Sequence, residues 1–228
     1  MEKGDKVSLG FFGDYQDFTF LGAGQSVFAF TRQADLYVWL VVPEHRFKSG
    51  EVAEDYSKDV LCEAYKAGQG NPYLPEIYYV GSDIVFGHPE LDGVYSKIYR
   101  MKYYRDLTRE YQDQWLTMKQ LHKVRVDGKN SVYEVQKAMG GPEPSLTFLG
   151  NKAARVSILM GGKLDKCLVE ALTHLYDSLI TKNVDGLTFE FNLRNVGLDT
   201  NDHLILRDPV YDSGITVKLK KERAENKV

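Results

Sequence analysis

An α+β fold, with strands crowded into the first hundred residues and helices after them, is predicted by three features of the sequence. Short aromatic and β-branched runs punctuated by glycine fill residues 17–44 and 76–101. One helical pattern interrupts them, and two strongly amphipathic patterns follow. The expected organisation is two-lobed: a β-rich lobe over residues 1–101, a minimal α-rich lobe over 102–228, and a cleft between them.

The elements follow in order. "DFTFLGAG" and "SVFAFTRQ" read as two strands joined at a glycine turn, and "DLYVWLVVPE" as a stronger third strand ended by Pro43. In "VAEDYSKDVLCEAYKAG", Val60, Leu61, Ala64 and Tyr65 fall at helical spacing, and Gly68 stops the helix. The first three strands make an antiparallel meander; "EIYYVGS" and "GVYSKIYRM" return as strands, so one helix interrupts a five-stranded sheet. Beyond Met101, Leu107, Tyr111, Trp115, Met118 and Leu121 recur at spacings of three and four, the stripe of an amphipathic helix. A second stripe is Leu168, Leu172, Leu175, Tyr176 and Leu179. Residues 124–163, with "MGGPEP" and "MGGK", read as loop. The lysine-rich end "KLKKERAENKV" reads as a solvated tail.

The chain has 228 residues, 43% hydrophobic and 27% charged, enough to bury a core without staples. A net charge of −3 provides no global attraction to nucleic acid. Neither a signal-type apolar run nor a stretch of membrane-spanning length is present, so a soluble, cytoplasmic protein is expected. Cys62 and Cys167 lie in apolar contexts without metal-type spacing and are expected as free thiols. No Gly-x-Ser-x-Gly elbow or Ser/His arrangement points to a hydrolase, and His122 and His174 read as helix-surface or packing residues.

Two stretches carry chemistry. In "FLGAGQSVFAF", Gly22 and Gly24 would let backbone N–H groups approach phosphate oxygens without a Cβ in the way, with Val27 and Ala29 either covering an adenine ring or packing inward. In "FEFNLRNVGLDTNDHLILRDPVYD", a hairpin around "DTND" brings Asn195, before its first strand, near Asp208, at the end of its second. Two such oxygen donors suit Mg²⁺, completed by water and phosphate. Glu190 on the same loop can accept a proton or orient a hydroxyl. Each residue also has a plainer structural reading, as a hairpin glycine, an Asx cap or a turn carboxylate.

The order of these features resembles the protein-kinase fold, and most closely the short divergent serine/threonine protein kinases of tailed bacteriophages, over residues 18–212. The resemblance implies ATP and Mg²⁺ as cofactors. It makes "GAGQSVFA" a glycine-rich phosphate loop with Val27 in place of a third glycine, and Glu63 the glutamate of the helix over the nucleotide site. Arg100, Met101 and Tyr103 become the hinge that meets the adenine edge. It makes Asn195 and Asp208 the metal ligands, with Pro209 where Asp-Phe-Gly has phenylalanine, and Glu190 the counterpart of the catalytic aspartate.

Three departures accompany the likeness. The strand lysine that pairs with phosphate falls on Leu40, leaving Arg32, Arg46 or Lys48 as substitutes. Glu190 is one methylene longer than aspartate, and a displacement of roughly an ångström can cost on the order of 100-fold in rate. Only twenty residues follow Asp208, too few for a peptide-docking platform. Two functions follow from the resemblance: phosphotransfer from Mg-ATP to hydroxyls of host proteins in the host cytoplasm, or a pseudokinase that binds or inhibits a partner. The fifteen tyrosines would supply interface anchors for the second.

Overall fold

The computed structural model describes residues 1–33, 35–117, 165–182, 184, 187–190 and 193–225. It is a mixed α+β structure that divides into two compact units. The first comprises Met1–Asp59, Glu76–Tyr103 and Asp212–Val228; the second comprises Val60–Pro75 and Tyr104–Tyr211. The chain crosses between the units after Asp59, Pro75, Tyr103 and Tyr211, so residues 60–75 group with the second unit and 212–228 with the first.

The first unit is built on a curled antiparallel sheet of six strands: β1 (Lys6–Phe11), β2 (Asp14–Ala23), β3 (Phe28–Thr31), β4 (Tyr37–Pro43), β7 (Ile77–Val85) and β8 (Val94–Lys102). Their order is β1-β2-β3-β4-β8-β7. The two ends of this order meet at a bridge between Gly10 and Phe86, whose N–H groups donate to each other's carbonyls at 3.1 and 3.0 Å. The five strands expected from the sequence are therefore joined by a sixth, β1, in which Val7, Leu9 and Phe11 alternate as a half-buried strand requires. Bulges between Phe20 and Gly22 and between Tyr79 and Gly81 add local bend, which helps the sheet curl.

Strand alternation also decides what fills the curl. Val7, Leu9, Phe11, Phe18, Phe20, Phe28, Phe30, Trp39, Val41, Val85 and Ile98 form one buried cluster, joined by Leu91 from the β7–β8 loop. Its rings meet in tilted and edge-on pairs, Phe11 and Phe18 each 5.8 Å from Trp39 and Phe20 5.4 Å from Phe30. On the opposite parity of β4 and β8, Leu40 lies opposite Tyr99 and Val42 opposite Lys97. There Asp59 accepts from Tyr99 Oη at 3.0 Å and pairs with Lys97 at 2.8 Å, and Glu54 is 2.8 Å from the same ammonium. Burial lowers the Lys97 pKa, but the hydrogen bonds its ammonium donates to Asp59 and Glu54, with their charges, outweigh it and leave the pKa raised.

The carboxyl-terminal segment is a helix, α3 (Ser213–Glu225), where the sequence reading expects a solvated tail. Its charges have partners: Lys218 pairs with Glu51, and Glu222 accepts the Lys48 N–H at 2.8 Å. Both partners lie in the short hairpin of β5 (His45–Arg46) and β6 (Val52–Ala53) or its turn. Asp212 caps the helix by accepting the Ile215 N–H at 2.9 Å.

In the second unit, α1 (Ser57–Ala67) enters from the first unit with Val60, Leu61 and Ala64 buried as the spacing predicts. In α2 (Lys166–Lys182), Leu168, Ala171, Leu172, Leu175 and Tyr176 are buried, and Leu179 is half-buried. Asp165 caps α2 through the N–H groups of Cys167 and Leu168. Gly68 packs closely against its neighbours: a Cβ there would lie 2.6 Å from the His174 ring and 2.7 Å from a Leu74 methyl, so those side chains would have to shift. Cys62 and Cys167 are free thiols. Residues 112–117 are helical and Leu107 is buried. The expectations for Met118, Leu121, His122 and the 124–163 loop lie outside the described residues. Among the described residues no helix is long and apolar enough to cross a membrane.

Candidate functional site

The loop from Leu187 to Tyr211 is assembled by short-range hydrogen bonding around a small hairpin. Strands β11 (Gly197–Leu198) and β12 (Leu204–Ile205) pair antiparallel, and β11 also pairs with β9 (Arg105–Asp106). Asp199 holds the turn: its carboxylate accepts the N–H groups of Asn201 and His203 at 2.8 and 2.9 Å. Gly197 has no room for a side chain, because a Cβ would come within 2.9 Å of Tyr104 Cβ and 3.0 Å of the Arg105 carbonyl. Val196, Leu198, Leu206 and Val210 are buried and anchor the loop.

The hairpin draws three oxygen-bearing residues together. Asp208 donates its N–H to the Asn195 carbonyl at 2.8 Å, and Glu190 donates its N–H to the Pro209 carbonyl at 2.7 Å. Asn195, at the end of the single 3₁₀ turn Leu193–Asn195, donates Nδ2 to the Glu190 carbonyl at 2.9 Å and to Glu190 Oε2 at 3.3 Å. With Nδ2 committed to Glu190, the amide oxygen is the Asn195 atom a hard cation would take. Arg207 braces the loop from behind, donating to the Arg194 carbonyl at 2.8 Å and the Tyr104 carbonyl at 3.4 Å while pairing with Asp106 at 3.0 Å.

Asn195 and Asp208 carry oxygen donors, the type Mg²⁺ takes, and neither is the thiolate or imidazole that zinc favours. Among the described residues no three His, Cys, Asp or Glu side chains converge as a metal cage. A cation here would take Asn195 and Asp208 and fill its shell with water and phosphate oxygens, which is how Mg²⁺ is commonly held.

The other expected site residues are distributed over both units. Gly22 lies near the end of β2, paired with Ala29 beside the bulge, with φ 141°, a conformation suited to glycine; Gly24 lies in the β2–β3 turn, where its N–H donates to Val27 O at 2.7 Å. At the tip of this hairpin, the Ser26 hydroxyl donates to the buried Asp55. Arg100 and Met101 sit in β8 between β4 and β7, and the N–H groups of Lys102 and Tyr103 are taken by Glu76 O and Leu36 O at 2.9 and 2.8 Å. An adenine edge meeting these donors has to displace one of those bonds. The Arg100 guanidinium stacks over Tyr37 at 4.4 Å.

Glu63, in the second unit, pairs with Lys182 at 3.1 Å. Of the suggested substitutes for the strand lysine, Arg46 pairs with Glu44 and Arg32 is exposed. Sequence reasoning passed over Lys97, which lies half-buried in the strand "VYSKIYRMK" beside the carboxylates of Glu54 and Asp59. It also passed over Lys58, only 3% exposed in the first turn of α1, and the brace at Arg207.

No protein-family model, no curated protein and no solved structure matches this chain.

Proposed function

We propose that the protein binds Mg-ATP in the manner of a divergent phage-type serine/threonine protein kinase and transfers the γ-phosphate to a protein hydroxyl. The two-lobed kinase-like architecture and the host-protein substrate belong to this proposal. The observation that carries it is the joining of Asn195, Asp208 and Glu190 by the Asp208-to-Asn195 and Asn195-to-Glu190 hydrogen bonds. In that arrangement Asn195 and Asp208 would hold Mg²⁺, which would supply positive charge to the nucleotide phosphates, and Glu190 would accept a proton from, or orient, the attacking hydroxyl. A helix inserted between β4 and the β7–β8 pair, and a glycine turn joining β2 to β3, also agree with the resemblance.

A second reading, nucleotide-independent binding as a pseudokinase, is favoured by one specific feature of the first unit. Leu40 occupies the strand position where the resemblance expects a cation, and the nearest lysine on the same face, Lys97, is held by two carboxylates.

Thermal unfolding with and without ATP and Mg²⁺, followed by transfer of labelled phosphate to cell extract, separates the readings. Phosphotransfer predicts a rise in Tm that Asp208→Ala removes, with label incorporation falling at least 100-fold in that variant. A partner captured equally by the wild type and Asp208→Ala, with no nucleotide-dependent shift in either, favours the pseudokinase.

A further inference from the structure

The β7–β8 loop closes the curled sheet and at the same time buries a histidine. Leu91 and His88 enter the interior, 0% and 2% exposed. The loop is held by the Leu91 N–H on His88 O at 2.9 Å, the Gly87 N–H on Asp92 Oδ1 at 2.9 Å and the Gly93 N–H on Val85 O at 2.8 Å. Gly87 is obligatory: its φ is 92°, and a Cβ would stand 2.0 Å from the Ser8 carbonyl of β1. Phe86, immediately before it, makes the bridge to Gly10.

The chemistry of His88 is set by its neighbours. Its Nδ1 accepts the Glu90 N–H at 3.2 Å, so the ring proton of the neutral form resides on Nε2. Nε2 is buried with no hydrogen-bond partner. The ring lies among Phe20, Phe28 and Phe30, at centroid distances of 5.3, 5.2 and 5.7 Å. The ionisable groups that act on it are Glu90 of its own loop, which favours the charged form, and the Met1 amino group, which opposes it; β2 and β3 present the three phenyl rings. Protonation would place a second ring hydrogen against the Glu90 N–H, breaking that bond, and leave a cation among hydrocarbon. A phenyl face offsets this only in part.

We propose that His88 is an acid-sensitive latch: its protonation releases the β7–β8 loop and opens the β1–β7 seam at Gly10 and Phe86. Burial is the largest influence on the imidazole and lowers its pKa from 6.5, in keeping with this geometry. The open state therefore takes up the proton more readily than the closed one. Closure is fully favoured above about pH 6.5 and weakens as pH falls from there toward the depressed value. Phe20 and Phe28 flank the Gly22–Gly24 turn, so the same event loosens that hairpin. The latch does not depend on the nucleotide reading.

Amide hydrogen exchange on the full chain, corrected for intrinsic rates, tests it between pH 7 and pH 5. Protection of Gly10 and Phe86 is expected to fall about tenfold or more over that range, ahead of the Val41 and Ile98 amides in the central strands. In His88→Phe, which keeps an aromatic ring at the position, that pH dependence is expected to vanish. The imidazole resonances of the wild type give a readout that needs no variant. His88 titrating near 6.5 with the seam still protected overturns the latch, and so does a His88→Phe protein with unchanged pH dependence.

Discussion

The curled sheet of the first unit and the Glu190–Asp208 loop of the second combine burial and hydrogen bonding in different proportions. The sheet encloses Phe11, Phe18, Phe20, Phe28, Phe30 and Trp39, and its shape follows from burial. The loop carries strands of only two residues; Val196, Leu198, Leu206 and Val210 anchor it by burial, and hydrogen bonds made by Asp199, Arg207 and Asn195 set the positions of its polar groups. Burial is non-directional, so the sheet gains stability without specifying where any one polar atom lies. Hydrogen bonds are individually modest but directional, so they fix where the polar groups of Glu190, Asn195 and Asp208 lie relative to one another.

The largest test of this contrast is Phe30→Ala. Phe30 is fully buried and touches Phe18, Phe20 and His88, so its removal is expected to cost about 3–5 kcal/mol in urea unfolding. A loss below about 1 kcal/mol would mean that the rings do not hold the sheet. Arg207→Ala should be milder for stability, about 1–2 kcal/mol, yet more damaging to the site, because it frees the Arg194 and Tyr104 carbonyls from the brace. Exchange at the Asp208 amide should rise in that variant while exchange within the sheet stays unchanged. Equal changes in both would erase the distinction between the regions.

The smallest effect is expected at Asp212, which is both cap and buried charge. Burial raises its carboxyl above the ordinary 3.8; the Ile215 N–H opposes this, and neighbouring Asp55 adds to it. A carboxyl raised in the folded state contributes stability that is present below pH 3.8 and lost as pH rises through the raised value. At pH 7 the buried carboxylate is therefore a cost. Asp212→Asn, which retains a capping oxygen, should match or exceed the wild type in stability at pH 7, whereas Asp212→Ala should lose about 1 kcal/mol with the cap. Chemical denaturation at pH 7 checks the order of the three proteins.

Much of both regions was legible in the chain. The alternating Phe18, Phe20, Phe28 and Phe30 marked two strands, and the 3–4 spacing of Leu168, Leu172 and Leu175 marked α2, because each pattern reports a local backbone period. The turn at "DTND" predicted that Asn195 and Asp208 would approach, and their backbone groups do. The same logic overlooked β1, whose Val7-x-Leu9-x-Phe11 alternation is as clear but sits in an otherwise polar amino-terminal segment. It also misjudged the carboxyl terminus, where weak amphipathic patterning conceals a helix whose Lys218 and Glu222 find partners at Glu51 and Lys48.

By itself, then, the sequence determined β2, β3, β4, β7, β8, α1, α2 and one hairpin, since a side-chain period and a turn motif act within a few residues. The tertiary structure alone decided that the sheet curls until Gly10 meets Phe86, that Lys97 finds Asp59 and Glu54, that Glu63 finds Lys182, and that His88 is sealed among phenylalanines. Those outcomes join residues far apart in the chain. They depend on strand register and on which face each side chain takes, and a one-residue slip in either would exchange every partner.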